Sequence, residues 1–345
     1  MRQPEKVIIA GAGPAGGYCA LTLAEKGIYP IILDHSHPRE KPCGGGITPT
    51  TAEKFPFVNA YRTEGNTNRE CVILTCTNRK ITQTRQGFNI SRRFFDKEIL
   101  NKAIDKGAKL IEEKVIAVKH DKNIWHVQTN KQSFTTKILV GADGVNSVVR
   151  KATVGSFTKD NLALGFGYLA TGAESQLTTI KYFDPLTEIQ GMAWMFPRKY
   201  DTTIGIGILG ATQKGRLLKP LLDDFIKTHW EKVRITARFA HMIPLAKSPA
   251  FFSLPCSGKN WLLVGDAAGH VDPISGEGIL YALWSGKLAA EAIKGENLSL
   301  YDQFWRKEYG NYLKKRSKER DIFYNPVRME LAALMVAKHH SKIRI

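Results

Sequence analysis

The 345-residue chain lacks most of the features that would set it outside the ordinary globular class. Its five cysteines, Cys19, Cys43, Cys71, Cys76 and Cys256, are an odd number without a CxxC pair, which argues against a disulfide framework and against a zinc site. No apolar run approaches the ~20 residues needed to span a bilayer. No internal repeat or low-complexity tract is visible, and 43% hydrophobic with 24% charged residues is not the composition of a disordered chain. Acidic residues are scarce beside basic ones, 32 against 50, for a formal charge of +18. Such a surplus attracts nucleic acid, an anionic membrane surface or acidic small molecules. No nucleic-acid motif accompanies it, so nucleic acid is not an expected partner. The opening MRQPEKVIIAGAG runs straight into a strand and leaves no room for a cleavable leader, so a cytoplasmic protein is expected, with scope for peripheral association at the inner face of a membrane.

What is present is organised in blocks. A chain of this length exceeds the ~250–300 residues at which single cores stop growing, so two domains or a split one are expected. KVIIAGAGPAGGYCALTLAEKG, residues 6–27, reads as strand, glycine turn and helix with a Gly27 stop, and YPIILD, ending at Asp34, as the next buried parallel strand. GFNISRRFFDKEILNKAIDK reads as strand then helix, and KVIAVKH and KILVGADG as further strands. From about residue 156 the pattern alternates with period two in LALGFGYLATG, LTTIKYFD, MAWMFP and TTIGIGILG, as in an antiparallel sheet with one covered face. NWLLVGDAAG returns to the buried-strand style and is followed by a helix. The expected organisation is a discontinuous nucleotide-binding domain from 1–65, 88–155 and 255–296, a substrate domain from 66–87 and 156–254, and a helical C-terminal region over 297–345. Within that last region, the stretch from Asn325 suggests either an interfacial helix on anionic lipid or a helix capping the core, with Lys314, Lys315, Arg316, Lys318 and Arg320 upstream adding positive charge. His339 and His340 are too isolated to read as a metal site.

Gly11, Gly13 and Gly16 fit GxGxxG after a strand and before a helix. The first glycine permits the tight turn, the second lets pyrophosphate reach the backbone, and the third lets helix pack on strand. Asp34, closing the next strand, is the expected acceptor for a ribose hydroxyl. VGADGVNSVVR and VGDAAGHVDPISGEGI each end a strand in a small-residue turn bearing an aspartate. With these the sequence resembles the flavoproteins of the p-hydroxybenzoate hydroxylase fold: a Rossmann-like α/β FAD-binding domain, an inserted, mostly antiparallel substrate sheet and a helical C-terminus. The resemblance implies FAD as cofactor. It assigns to FAD the turn residues Gly11, Gly13, Pro14, Ala15 and Gly16, with Asp34, Arg92 at the pyrophosphate, Asp143 and Gly144 of the DG motif, Asp266 of the GD motif, and Gly276, Gly278 and Ile279. A helix starting near Gly278 would also favour the negative charge of a reduced flavin through its unsatisfied amides.

Within that fold, monooxygenases typically read GDAAH and then GQGxN, whereas this chain has Gly269 and GEGIL. KPCGGGITP, residues 41–49, is similar to the geranylgeranyl reductase branch. In that branch the cysteine lies at the flavin and substrate pocket, which assigns Cys43, Gly44 and Gly45 to the cofactor and Gly46 to the substrate. A pattern like YxWxFP followed by GxG agrees, assigning Trp194, Phe196, Pro197, Gly205 and Gly207 to the substrate, with Met192 at the tyrosine position. The implied reaction saturates alkenes of an isoprenoid (geranylgeranyl-type) lipid or diphosphate, by hydride from reduced flavin plus a proton, with NADPH or a reduced carrier as donor. Cys43 is the candidate proton donor, since an ordinary thiol stays mostly neutral at pH 7. His270 and Glu277 are candidate proton relays or simply holders of their loop. The alternatives are an FAD monooxygenase of an aromatic or lipid substrate, a halogenase with its WxWxIP motif, and a flavin electron carrier in which Cys43 is a sensor thiol.

Overall fold

The computed structural model describes residues 5–67, 70–75, 80–84, 87–173, 177–183, 190–209, 215–230, 232–325, 327, 328, 330 and 331. Contacts divide the chain into two interleaved units, Met1–Glu40 with Arg92–Thr158 and Pro244–Ser317, and Lys41–Ser91 with Lys159–Ile243 and Lys318–Ile345.

The first unit is built on short apolar strands buried on both faces. Its sheet runs Ser257–Gly258, Trp261–Leu263, Ser133–Gly141, Glu5–Ala10, Ile31–Leu33 and Lys109–Ile111, the last five mutually parallel. Parallel strands need crossovers that cover both faces, hence the near-continuous apolar runs Val7–Ala10 and Ile31–Leu33. A hairpin, Val115–Asp121 with Ile124–Thr129, adds antiparallel pairing to Ser133–Gly141. It turns at Lys122 and Asn123, both at positive φ, as a two-residue hairpin turn demands. The helix Pro14–Glu25 starts on a proline and ends where Gly27, at φ +76°, lets the Gly27 and Ile28 amides turn back onto the Ala24 and Leu23 carbonyls. It packs against the helix Ile279–Lys294 so closely that a Cβ on Gly286 would overlap the Ala15 carbonyl.

The second unit is a seven-stranded sheet in the order Arg234–Pro244, Leu162–Thr171, Thr202–Leu209, Gly191–Pro197, Thr178–Tyr182, Glu70–Leu74 and Lys80–Thr84. Leu162–Thr171 with Thr202–Leu209, Thr202–Leu209 with Gly191–Pro197, Gly191–Pro197 with Thr178–Tyr182, and Glu70–Leu74 with Lys80–Thr84 pair antiparallel, while Thr178–Tyr182 pairs with Glu70–Leu74 in parallel. The period-two pattern decides the faces. Ala193, Met195, Ile204, Ile206 and Ile208 join Leu218, Leu222 and Phe225 of the helix Gly215–His229 in one core. Met192, Trp194 and Phe196 therefore point to the opposite face, across from Gly207, Gly205 and Thr203 respectively.

The unit boundaries differ from those read off the sequence. Residues 41–65 group with the strand-rich unit because Gly46–Ile47 and Asn66–Thr67 both pair with Phe88–Asn89, and Asn89 Nδ2 donates to Thr178 Oγ1 (2.9 Å) and to the Pro197 carbonyl (3.1 Å). The helical region after 296 is divided as well. Its first helix, Ser299–Trp305, belongs with the parallel sheet, tied there by Tyr301 Oη donating to the Leu263 carbonyl (2.8 Å) and by Asp302 accepting from the Cys256 and Ser257 amides. Most of the stretch 325–345 lies outside the described residues, as does Cys76; Cys19, Cys43, Cys71 and Cys256 are free thiols. No helix among the described residues is long and apolar enough to cross a membrane.

Candidate functional site

In the first unit the glycine turn divides by role. A Cβ on Gly11 would overlap the Ala142 carbonyl and one on Gly16 the Gly11 carbonyl, so these two are glycines because protein packs on them. At Gly13 the nearest atom is His37 Nε2 at 3.7 Å, and nothing lies within 4 Å of the corresponding positions on Gly144 and Gly276. Space of that kind suits a ligand that approaches the backbone. Pro14 and Ala15 open the helix Pro14–Glu25, and both are buried.

Asp34 ends its strand as expected, but its carboxylate is already filled. Oδ2 accepts the Ala12 amide (2.8 Å) and His37 Nδ1 (2.8 Å); Oδ1 accepts the Ser36 amide (2.7 Å), the Ser36 hydroxyl (3.0 Å) and the His37 amide (3.0 Å). A carboxylate offers about four acceptor sites, and all are used. Although burial raises the Asp34 pKa, the hydrogen bond and charge of His37 and the two amides outweigh it and hold the group below the ordinary range. Arg92 is likewise engaged: Nε and Nη2 form a fork on Asp96 (both 2.8 Å), one turn along the helix Arg92–Asp105, and Asp96 is fully buried. His37 Nε2 lies 3.4 Å from Asp96 Oδ2.

The DG and GD turns lie in the same unit. The Asp143 carboxylate accepts the Ser147 hydroxyl and the Val148 (2.7 Å) and Val149 (3.4 Å) amides, capping the helix Val148–Thr153. Burial nevertheless leaves its pKa raised. Asp266 sits in the tight turn Gly265–Ala267, with a carboxylate oxygen 3.5 Å from where a Cβ of Gly278 would stand. Gly278, which has no side chain to cap with, stands at the N-terminus of the helix Ile279–Lys294. Such an end favours negative charge. His270 is fully buried between Tyr309 Oη (2.9 Å from Nδ1), Cys256 Sγ (3.6 Å from Nε2) and the Trp305 ring. Burial, with Arg150 and Arg306 nearby, pushes its pKa down to about 3, which favours the neutral ring. Glu277 is half-buried in the same loop, its carbonyl accepting the Asp272 amide.

The second unit brings together two stretches far apart in the chain. A Cβ on Gly44 would overlap the Phe196 ring, and one on Gly46 would come within 3.2 Å of it. Gly45, at φ +72°, has the Ile90 carbonyl where a side chain would begin, while its amide donates to Cys43 Sγ (3.3 Å). What approaches this glycine backbone within its own unit is thus the Phe196 ring and the Ile90 peptide. Trp194, 8% exposed, lies flat across Gly205 and reaches Gly207, so the GxG glycines are the floor beneath its indole. Trp194 Nε1 and Thr203 Oγ1 on this face are buried without hydrogen-bond partners. Pro197 is buried at the strand end; Met192 is half-buried.

A fold with this cradle is that of a flavoprotein, and the chain belongs to the FAD binding domain family, which it matches over residues 5–283. Among its relatives, an uncharacterized protein of Methanosarcina barkeri is 32% identical over 83% of this chain and 74% of that protein. The digeranylgeranylglycerophospholipid reductase of Methanocaldococcus jannaschii is 25% identical over 96% of this chain and 90% of the enzyme. Among solved structures, a geranylgeranyl bacteriochlorophyll reductase-like protein of Thermoplasma acidophilum superposes with a TM-score of 0.78 at 21% identity, covering 96% of this chain and 89% of that one. The flavin-dependent brominase Bmp2 has a TM-score of 0.72 at 17% identity, over 97% and 93%. The chain is therefore an FAD-dependent oxidoreductase by family, similar to geranylgeranyl reductases.

The residues present fit FAD on structural grounds: open backbone at Gly13, Gly144 and Gly276, and a helix N-terminus that begins at a glycine, Gly278. Sequence reading overlooked His37, Asp96 and Arg150. Arg150 lies over the Phe157 ring at 3.9 Å and donates to the Ala267 carbonyl (3.1 Å), joining the two aspartate turns. The Arg92–Asp96 spacing of one helical turn was a usable signal, as was the Asp-x-Ser-His run.

Proposed function

We propose that the protein is an FAD-dependent reductase that saturates carbon-carbon double bonds of an isoprenoid lipid, with NADPH or a reduced carrier as the external donor. The carrying observation is that Phe196 of the MAWMFP strand fills the space left open by Gly44 and Gly46, so that two stretches resembling the reductase branch form one structure within the strand-rich unit. FAD, when bound, supplies the two-electron chemistry. In this reading Trp194 and Phe196 offer π faces to positive charge developing on an alkene, each contributing ~0.5–2 kcal/mol when desolvated. Cys43 is the proposed proton donor, its sulfur fixed by the Gly45 amide. Asp266, Gly276, Gly278 and Ile279 would hold the flavin end of FAD, and Gly13, Asp143, Gly144 and Arg92 the remainder. The relative named as a digeranylgeranylglycerophospholipid reductase, alike over nearly the whole chain, supports a polyprenyl substrate.

The test is a single turnover without oxygen. Protein loaded with FAD is reduced and mixed with a geranylgeranyl lipid; reoxidation should accompany a gain of two hydrogens per lost double bond in the mass spectrum, and Cys43→Ser should slow it at least tenfold. Reoxidation that needs oxygen and yields a hydroxylated product would instead identify a monooxygenase.

A further inference from the structure

The engaged state of Asp34 raises the question of which group meets the dinucleotide at the glycine turn. His37 stands there. Its Nε2 is the atom nearest the side-chain position of Gly13, at 3.7 Å, where the backbone is otherwise open. Its Nδ1 is bound at 2.8 Å to Asp34, which in turn holds the Ala12 amide of the turn. On the other side, Asp96 lies 3.4 Å from Nε2, a long contact, because the Asp96 oxygens are occupied at 2.8 Å by the Arg92 fork. Nε2–H is thus the least satisfied donor of the cluster, and the His37 and Asp34 side chains are each 8% exposed.

We propose that His37 is a cofactor-positioning residue: its imidazole, aimed by Asp34 and Asp96, presents Nε2–H to the pyrophosphate-ribose part of the dinucleotide at the Gly13 turn, and the dinucleotide binds together with a proton on that ring. Asp34 then acts on the turn through His37 as well as through the Ala12 amide. The inference rests on the reading that the chain binds FAD.

Charge gives the direction. The groups facing His37 are Asp34 at the strand end, Asp96 and the Arg92 paired with it from the helix Arg92–Asp105, and the amides of the glycine turn. Glu40 accepts the Arg92 (3.1 Å) and Arg93 (3.3 Å) amides at the start of that helix. With neutral His37, the two aspartates and Arg92 leave one net negative charge beside an incoming dianion; with imidazolium they sum to zero. Burial would lower the His37 pKa, but the hydrogen bonds and charges of Asp34 and Asp96 leave it raised above its ordinary value. A raised value means that the proton is present below it and is lost as pH rises through it. A bound dianion raises it further, so affinity is strongest at low pH and weakens as pH climbs from the free-protein value to the bound one.

The experiment titrates flavin-free protein with FAD between pH 5.5 and 9, following quenching of flavin fluorescence, with riboflavin as a probe that lacks pyrophosphate. The Kd for FAD should rise with pH toward the limit of about tenfold per unit that one linked proton allows, while that for riboflavin stays flat. In His37→Gln the FAD Kd should be flat and near the wild-type value at high pH. Calorimetry of the wild type in buffers of different ionisation enthalpy should show proton uptake on binding, which needs no variant. A flat wild-type profile, or an undiminished slope in His37→Gln, overturns the inference while leaving FAD binding intact. Absence of FAD binding at every pH would overturn the cofactor reading along with it.

Discussion

At the scale of single residues, much of the site is a matter of missing side chains. The Cys43–Gly46 bend was legible as a place of close approach; its partner was not, since Phe196 is distant in the chain and pattern cannot pair them. Gly44→Ala would drive a methyl into the Phe196 ring, and overpacking of this kind costs ~1–3 kcal/mol. In a Phe196→Ala background the same methyl enters vacated space. The two changes should therefore be non-additive, with a coupling of about 1–2 kcal/mol in urea unfolding; simple additivity would mean that the ring does not press on the bend. Asp34 teaches the converse lesson. Its position after the strand was readable, but its engagement depends on a local turn through Ser36 and His37 and on Asp96 from a separate helix, none of which spacing reveals.

Among the elements, the long periodic ones could be read directly: the helix after the glycine turn, the helix Arg92–Asp105, and the strands Leu162–Thr171, Gly191–Pro197 and Thr202–Leu209. Two-residue strands such as Gly46–Ile47 and Phe88–Asn89 are too short for any periodicity, and they decide where residues 41–65 belong. Helix packing was equally hidden. Gly286 is the point at which Ile279–Lys294 meets Pro14–Glu25, so an alanine there gains ~1 kcal/mol of helix propensity but must force the Ala15 carbonyl away. We expect Gly286→Ala to lower stability by about 1–3 kcal/mol net and to weaken FAD binding severalfold, because Ala15 and Gly16 form the turn that moves. Thermal melts and fluorescence titration read both effects; unchanged affinity with lowered stability would separate the helix contact from the turn.

For the molecule as a whole, the buried strand style returns at NWLLVGDAAG and the first unit draws on three separate stretches of chain, while the positive surplus stayed uninformative about partners. The parallel sheet needs both early and late sequence: Ser133–Gly141 pairs with Glu5–Ala10 on one side and with Trp261–Leu263 on the other. A chain ended after Thr158 lacks that last strand, the GD turn and the helix Ile279–Lys294. It should bind no FAD by fluorescence quenching even if it stays in solution, whereas the full chain should hold a single FAD. Binding by the shortened chain would show that the first two segments suffice for the cradle. During synthesis the same arrangement leaves Leu139–Gly141, the part of that strand beyond its hairpin partner, without its neighbour until the ribosome has delivered Trp261–Leu263. An unpaired apolar edge of that duration invites strand addition by other nascent chains, and productive yield in a cell should therefore depend on chaperone supply and on translation speed between those two strands.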